Sequence, residues 1–447
     1  MLNNLRLDTP KILLMSIFSL LLFIQISYFY IFIFVLFFTK KYKIIDSQKI
    51  FFLANTIIFY LFRMVFSLSS NFDSFWNQLS LYNFSYSNTR FFDLQQNLVS
   101  MKCILGNVDR YYYKFSSTSY VSCPYSAKYG PLSTKVPFIG DIWIATLILS
   151  FCALVTYLYI YKLVLDNSEN FFFTTILFLS PSSNFITERM NIDIFIYLVG
   201  FICLINYKKY PKFNSFLLLV MALYKLHPLG FLLGLTLYFA IKMERKYFQI
   251  NFNSVVLFFI IYFIDAIFYR NIFATEWRPA DLRTTFGLLS DSLILSKNLN
   301  IDTSILYMAL CILIVLFSLY FRRMHHELFI DIDEKYSLIF YSFSFLILIN
   351  FLYANYDYRI ALFMPVSFLI YMKGKTNIYP LHYFIFLMPV GLEITSQENR
   401  FIVIDNILSF VGRISIYMLI GFLVANIIKN IQDTSLRNIY RFVMQND

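Results

Sequence analysis

The side chains in this sequence that could do chemistry fall in a few short stretches. Asp93 stands in Arg90-Phe91-Phe92-Asp93-Leu94-Gln95, within a long polar segment. Glu188-Arg189-Met190-Asn191-Ile192-Asp193 opens one apolar run, and Lys225-Leu226-His227-Pro228 closes another. Tyr356-Asp357-Tyr358-Arg359 separates two more, while Arg278 and Arg283 lie in a second polar segment that also holds Trp277. Carboxylates can take a proton from an attacking hydroxyl, and cations can hold a phosphate as charge develops on it. Those are the parts of a transfer from a phosphate ester, whose leaving group needs no acid. A glycosidase would instead want two carboxyls about 5–10 Å apart.

The elements that must position these groups are membrane helices. Of 447 residues, 59% are hydrophobic and 14% charged, against roughly 45–50% and about 25% in a soluble domain. A soluble globular protein is excluded. At about 20 apolar residues per crossing, the chain reads as one all-α polytopic domain over residues 1–447. Apolar runs near 12–38, 51–68, 138–163, 170–182, 192–206, 213–226, 229–242, 254–269, 304–321, 336–354, 358–372, 380–394 and 407–428 give the spans, a bundle of about 11–13 transmembrane helices. The first run, Ile12 to Phe38, has no small-residue cleavage site and is expected to stay as a helix. The 54 Phe and 35 Tyr are read as composition, not as a cofactor box.

Orientation follows from charge. Lys40, Lys41, Lys43 and Lys49, then Lys208, Lys209 and Lys212, then Lys242, Arg245 and Lys246 all fall on one side of these spans. Arg322 and Arg323, Lys373 and Lys375, and Lys429, Arg437 and Arg441 fall there too. The positive-inside rule makes that side cytoplasmic. The net charge of +11 is therefore read as topology, with no nucleic-acid partner. The expected location is the plasma (inner) membrane. The loops at 69–137 and 270–303, and every stretch named above, then face the extracytoplasmic side. Ionisable residues clustered there predict a site facing a polar cavity.

The runs at 170–182, 192–206 and 213–226 offer only about 20 Å of helix against roughly 30 Å of hydrocarbon. They are expected to be sheltered inside protein around a cavity open to one leaflet. Cys103 and Cys123 share the long loop and could pair in an oxidising space, though a free pair is the first reading. No cysteine spacing suggests a metal site, and no cofactor is expected.

Order and motif together carry a resemblance. Asp93 soon after an early span is followed by Met101-Lys102-Cys103-Ile104-Leu105-Gly106-Asn107-Val108-Asp109-Arg110-Tyr111, then by Lys128-Tyr129-Gly130-Pro131-Leu132 before the next span. Asn191 and Asp193 open a short run, and Lys225 and Pro228 stand at the next outer turn. This resembles the GT-C superfamily of polyprenyl-phosphate-dependent glycosyltransferases, and most resembles its mannosyltransferase-like family, with Gly-Asn-x-Asp and Lys-x-x-Pro patterns. Met190 stands where that family usually has glycine, and one extra span precedes the usual first helix.

The resemblance implies transfer of a mannose-like hexose or pentose from a polyprenyl-phosphate donor to a lipid- or glycan-linked acceptor, with inversion, at the outer membrane face. Asp93 matches the catalytic base. Lys225, Arg359, Arg189, Glu188, Asn191, Asp193, His227, Asp357 and Arg278 become the candidates for holding substrate and phosphate. Plainer readings stand beside these, and Asp93 reads also as a solvated loop carboxylate. Glu188 and Arg189 read equally as an ion pair closing a helix end, and Asp357 with Arg359 as a structural pair. Asp193 reads also as a first-turn residue favoured by the helix dipole, Lys225 as a snorkelling side chain, and His227 as a proton carrier or an ordinary turn residue. The segment from Glu276 through Ser290 reads as a gate at the headgroup level or as an interfacial helix. An oligosaccharide polymerase or ligase, and a flippase or transporter, are the alternative functions.

Overall fold

A computed structural model of the chain describes residues 92–103, 110–112, 120–122, 131–132, 139–166, 192–269, 285–324, 334–352, 355–356 and 413–432. The chain divides into two compact units, Met1–Tyr86 and Ser87–Asp447, and every described residue belongs to the second. The expected spans at 12–38, 51–68, 170–182, 358–372 and 380–394 lie outside the described residues.

The described chain is helical apart from two short antiparallel ribbons. Helix α1 is Phe92–Cys103, followed by strands β1 (Arg110–Tyr112) and β2 (Tyr120–Ser122), which pair Arg110 with Ser122. Then come α2 (Ile142–Asp166), α3 (Ile192–Ile205), α4 (Pro211–Tyr224), α5 (Leu229–Ile241) and α6 (Arg245–Tyr269). Strand β3 (Thr285–Phe286) leads into α7 (Leu288–Leu299), α8 (Thr303–Met324) and α9 (Glu334–Leu352). Strand β4 (Asn355–Tyr356) pairs back to β3, and α10 (Arg413–Gln432) follows.

Among the described residues four helices are long and apolar enough to cross a membrane, within α2, α6, α8 and α10. Their surfaces sort them. On α6, Phe259, Ile260, Phe263 and Ile267 are exposed, as are Ile305, Met308, Ile312 and Leu316 on α8. Apolar surface this continuous has lipid as its natural neighbour. Helix α10 is mostly buried. The helix expected from residue 254 begins at Arg245 instead. Its polar first turns are not a loop, because Asn251 there is fully buried and bonds to Tyr207 in the α3 to α4 connection and to Ser215 on α4.

That bonding fixes one end of the bundle. The Tyr207 hydroxyl donates to Asn251 Oδ1 at 2.9 Å, Ser215 Oγ donates to the same oxygen at 3.3 Å, and Lys208 reaches Glu244 at 3.4 Å. Burial pushes the Tyr207 phenol upward, while its bonds to Asn251 and Ser215 pull it back. The two Lys/Arg-rich connections, α3 to α4 and α5 to α6, therefore meet at the same end. Helices α3, α4 and α5 have 14, 14 and 13 residues, about 20 Å each, whereas α6 has 25, about 37 Å. Ser215 on α4 also pairs with Ser254 on α6, so α4 stops about 10 Å short of the far end of α6.

Among the described residues, α5 and α9 pack backbone to backbone. A Cβ on Gly230 would strike the backbone of Leu346, and one on Gly234 would strike Tyr341 and Ser342. Small residues four apart let helix backbones touch. These contacts also set direction. The start of α5 lies against the last turns of α9, so α9 ends at the end of the bundle opposite the basic connections.

Candidate functional site

Three of the sequence-derived candidates come together there. Asp193 is the second residue of α3, in the first turn, where the helix dipole favours a carboxylate. Lys225 caps α4 with extended backbone, φ −146° and ψ 130°, and its amide bonds Met221. The next residues form a tight turn into α5, whose N-cap is Pro228. Proline ends the extended stretch because its fixed φ suits a helix start.

The turn folds Lys225 and His227 back over Asp193. Lys225 Nζ donates to Asp193 Oδ1 at 2.6 Å, and His227 Nε2 lies 3.1 Å from the same oxygen. All three residues are buried, Asp193 completely. Two basic side chains thus approach one carboxylate oxygen. Snorkelling does not describe Lys225, since its ammonium ends on Asp193 and not at a water interface.

The long loop touches this place. The Leu132 amide donates to the Leu223 carbonyl at 3.0 Å, two residues before Lys225. Leu132 is therefore docked on the end of α4. Helix α1, with Asp93 in its first turn, packs on α2 and on α3, the helix that carries Asp193. On α1, Leu94, Asn97, Leu98 and Val99 are buried, and Lys102 Nζ donates to the Gly140 carbonyl at 3.0 Å.

Glu188, Arg189, Asn191, Asp357, Arg359 and Arg278 lie outside the described residues, as do Arg283, Trp277 and Cys123, the candidate disulfide partner of Cys103. Asp357 directly follows β4, whose Tyr356 pairs with Thr285. The outer segment expected to gate lipid or lie in the interface ends at Ser290, which is buried in the first turn of α7. That helix enters the bundle N-terminus first: Leu288 through Ser292 include four buried residues, while Lys297 to Asn300 are exposed. Among the described residues, no three His, Cys, Asp or Glu side chains gather as a metal site.

A second buried charge cluster was not among the expected residues. Arg413, the first residue of α10, pairs with Asp291 on α7, and the Tyr417 hydroxyl donates to the other Asp291 oxygen at 2.9 Å. Tyr417 packs edge-on against Phe351 in the last turn of α9, with ring centroids 5.0 Å apart. This cluster and the Asp193 cluster therefore lie at the same end of the bundle. The signal for Arg413 was present in the sequence. It is a charge inside the apolar run at 407–428, where a cation is costly and demands a partner.

Comparisons with protein-family models, curated proteins and solved structures give no match.

Proposed function

We propose that this chain is an integral-membrane inverting glycosyltransferase. It moves a mannose-like hexose or pentose from a polyprenyl-phosphate donor to a lipid- or glycan-linked acceptor on the extracytoplasmic face. One observation carries the reading: Lys225 and His227 converge on Asp193 at the end away from the basic connections, beside the docked Leu132. A carboxylate holding two bases at buried helix ends is a place where a phosphate's charge can be received.

In this reading an acceptor hydroxyl attacks the anomeric carbon from the side opposite the phosphate. The new C–O bond forms as the bond to the phosphate oxygen breaks, and the electron pair leaves on the polyprenyl phosphate. Asp93 takes the hydroxyl proton. Lys225 and His227 carry the departing charge, and Asp193 keeps them in place until substrate arrives. The donor's chain lies along lipid, and the site needs no cofactor.

The test is transfer by the purified chain in nanodiscs, with radiolabelled polyprenyl-phosphate mannose and a membrane lipid extract as acceptor. The wild type is expected to form labelled glycolipid. Asp93→Asn should retain the fold and lose transfer, and retained transfer overturns Asp93 as base. Movement of the donor across vesicles without covalent product would instead favour a flippase. Loss of activity on replacing loop arginines such as Arg278, with Asp93→Asn unaffected, would favour a polymerase or ligase.

A further inference from the structure

The two basic connections form one surface. Tyr207, just past α3, is fully buried and donates to Asn251 on α6, and Lys208 pairs with Glu244. Lys208 from the first connection and Lys246 from the second both stand over the ring of Tyr247, 5.6 and 5.7 Å from its centroid. Each turn is tied by its own backbone. The amides of Lys209 and Tyr210 bond the Asn206 carbonyl, and those of Lys242 and Glu244 bond Tyr238 and Phe239. The cations therefore ride on a fixed platform.

Charge on that platform is unbalanced. Lys208, Lys209, Lys212, Lys242, Arg245 and Lys246 accompany one acid, Glu244, which Lys208 already holds. The other five cations are exposed. Lys212 lies in the first turn of α4, and Arg245 and Lys246 open α6; neither first turn contains an acid. Cations there oppose the helix dipole, so their placement costs the folded chain stability that a bound anion would restore. Apolar side chains stand among them. Tyr210 and Phe213 are exposed, and Met243, in left-handed backbone at φ 56° that such a side chain seldom adopts, is 65% exposed. Exposed apolar surface continues from the platform along both helices, through Phe216 on α4 and through Phe252 and Val256 on α6. The cations thus border the lipid-facing surface directly, at the level where headgroups meet acyl chains.

We propose that the joined α3 to α4 and α5 to α6 turns bind the headgroups of anionic phospholipids in the leaflet they face. Ammonium and guanidinium groups meet the phosphodiester, and Tyr210, Phe213 and Met243 lie against the first methylenes of the acyl chains. Membrane topology asks only that such charges stay on one side. It does not ask that cations from two connections gather around one ring, with apolar tips between them. The contact also has a use. Helices α3, α4 and α5 are about 20 Å long against roughly 30 Å of hydrocarbon, and headgroups held at their basic ends draw the leaflet to them. That fixes the depth at which the opposite ends, with Asp193 and Lys225, sit. The inference rests on the orientation of the basic connections and not on the transferase reading.

The experiment titrates the full chain in nonionic detergent with dioleoyl phosphatidylglycerol or dioleoyl phosphatidylcholine, and counts bound lipid by native mass spectrometry. Wild type is expected to prefer phosphatidylglycerol, and the preference should fall as salt rises. Lys209→Gln with Lys242→Gln should lower it about fivefold for each charge removed. Lys212→Gln with Arg245→Gln should do the same, and serves if the first pair does not fold. Lys209→Arg with Lys242→Arg keeps the charge and should keep the preference. Arg322→Gln with Arg323→Gln removes two exposed cations from another basic connection and should leave the preference unchanged. An equal loss from that pair shows that net charge alone is at work and overturns the proposal, as does equal binding of the two lipids by wild type. Glycerol phosphate, the headgroup without chains, should not compete; full competition by it overturns the assignment to lipid. Every arm is read without sugar donor or acceptor, so failure here leaves the transferase reading standing.

Discussion

Asp193 and Lys225, 32 residues apart in the chain, meet at 2.6 Å through side chains almost wholly removed from solvent. Their helices run in opposite directions and are joined at the other end of the bundle by the α3 to α4 turn, where Asn214 Nδ2 donates to the Asn206 carbonyl at 2.9 Å. The pair thus joins the free ends of a hairpin. It sits where the α3 dipole favours the acid, and the C-terminal end of α4 favours the base.

Breaking this pair from one side should be far worse than removing it. Asp193→Leu leaves a buried ammonium without its carboxylate and should cost about 3–5 kcal/mol. Asp193→Leu with Lys225→Met removes both charges and should recover most of that. Unfolding of the single and double variants in detergent, followed by loss of helical signal, measures the coupling. Additive losses would show that the two residues are energetically independent.

The contact of α5 with α9 should tolerate no side chain at Gly234. The carbonyl of Tyr341 and the Cα of Ser342 are backbone and cannot swing away. Gly234→Val should therefore cost at least about 1–3 kcal/mol, the usual cost of overpacking. Gly200→Ala meets only the ring of Phe231 and should be milder. Thermal stability of the two variants ranks them, and equal losses would contradict the backbone contact.

Asn251 receives hydroxyl donors from two places, Tyr207 and Ser215. Tyr207→Phe removes one bond and leaves the other, and should cost about 1 kcal/mol. Asn251→Leu removes the acceptor of the Tyr207 hydroxyl, while Ser215 keeps its bond with Ser254, and should cost about 1–3 kcal/mol. In the double variant the losses should fall short of their sum, because a shared network is lost only once.

Topology has its own test. Lys209 and Lys297 are both exposed, one in the α3 to α4 connection and the other near the end of α7. In a background without the five native cysteines, cysteine at 209 should be blocked by a membrane-impermeant thiol reagent only after the membrane is opened. Cysteine at 297 should react in intact cells. Labelling of both from outside would overturn the orientation drawn from the basic loops.

Composition and charge spacing alone determined that the chain is a helical membrane protein and how its helices alternate. Those are properties of segments, set by apolar length and by the cost of moving Lys and Arg across a bilayer. The ends of α3, α4 and α5 were legible to within a few residues, because Pro211, Pro228 and the lysine clusters punctuate the runs. The start of α6 was not, since Asn251 and Ser254 look like loop residues until their partners in the α3 to α4 connection and on α4 are known. Lys225 and Asp193 were visible as candidates, but nothing local says that one carboxylate oxygen serves both Lys225 and His227. Arg413 was passed over because its partner Asp291 stands 122 positions earlier. The tertiary structure decided these pairings, because a buried charge is tolerated only against its counter-charge, and which residues become neighbours is settled by how the helices pack.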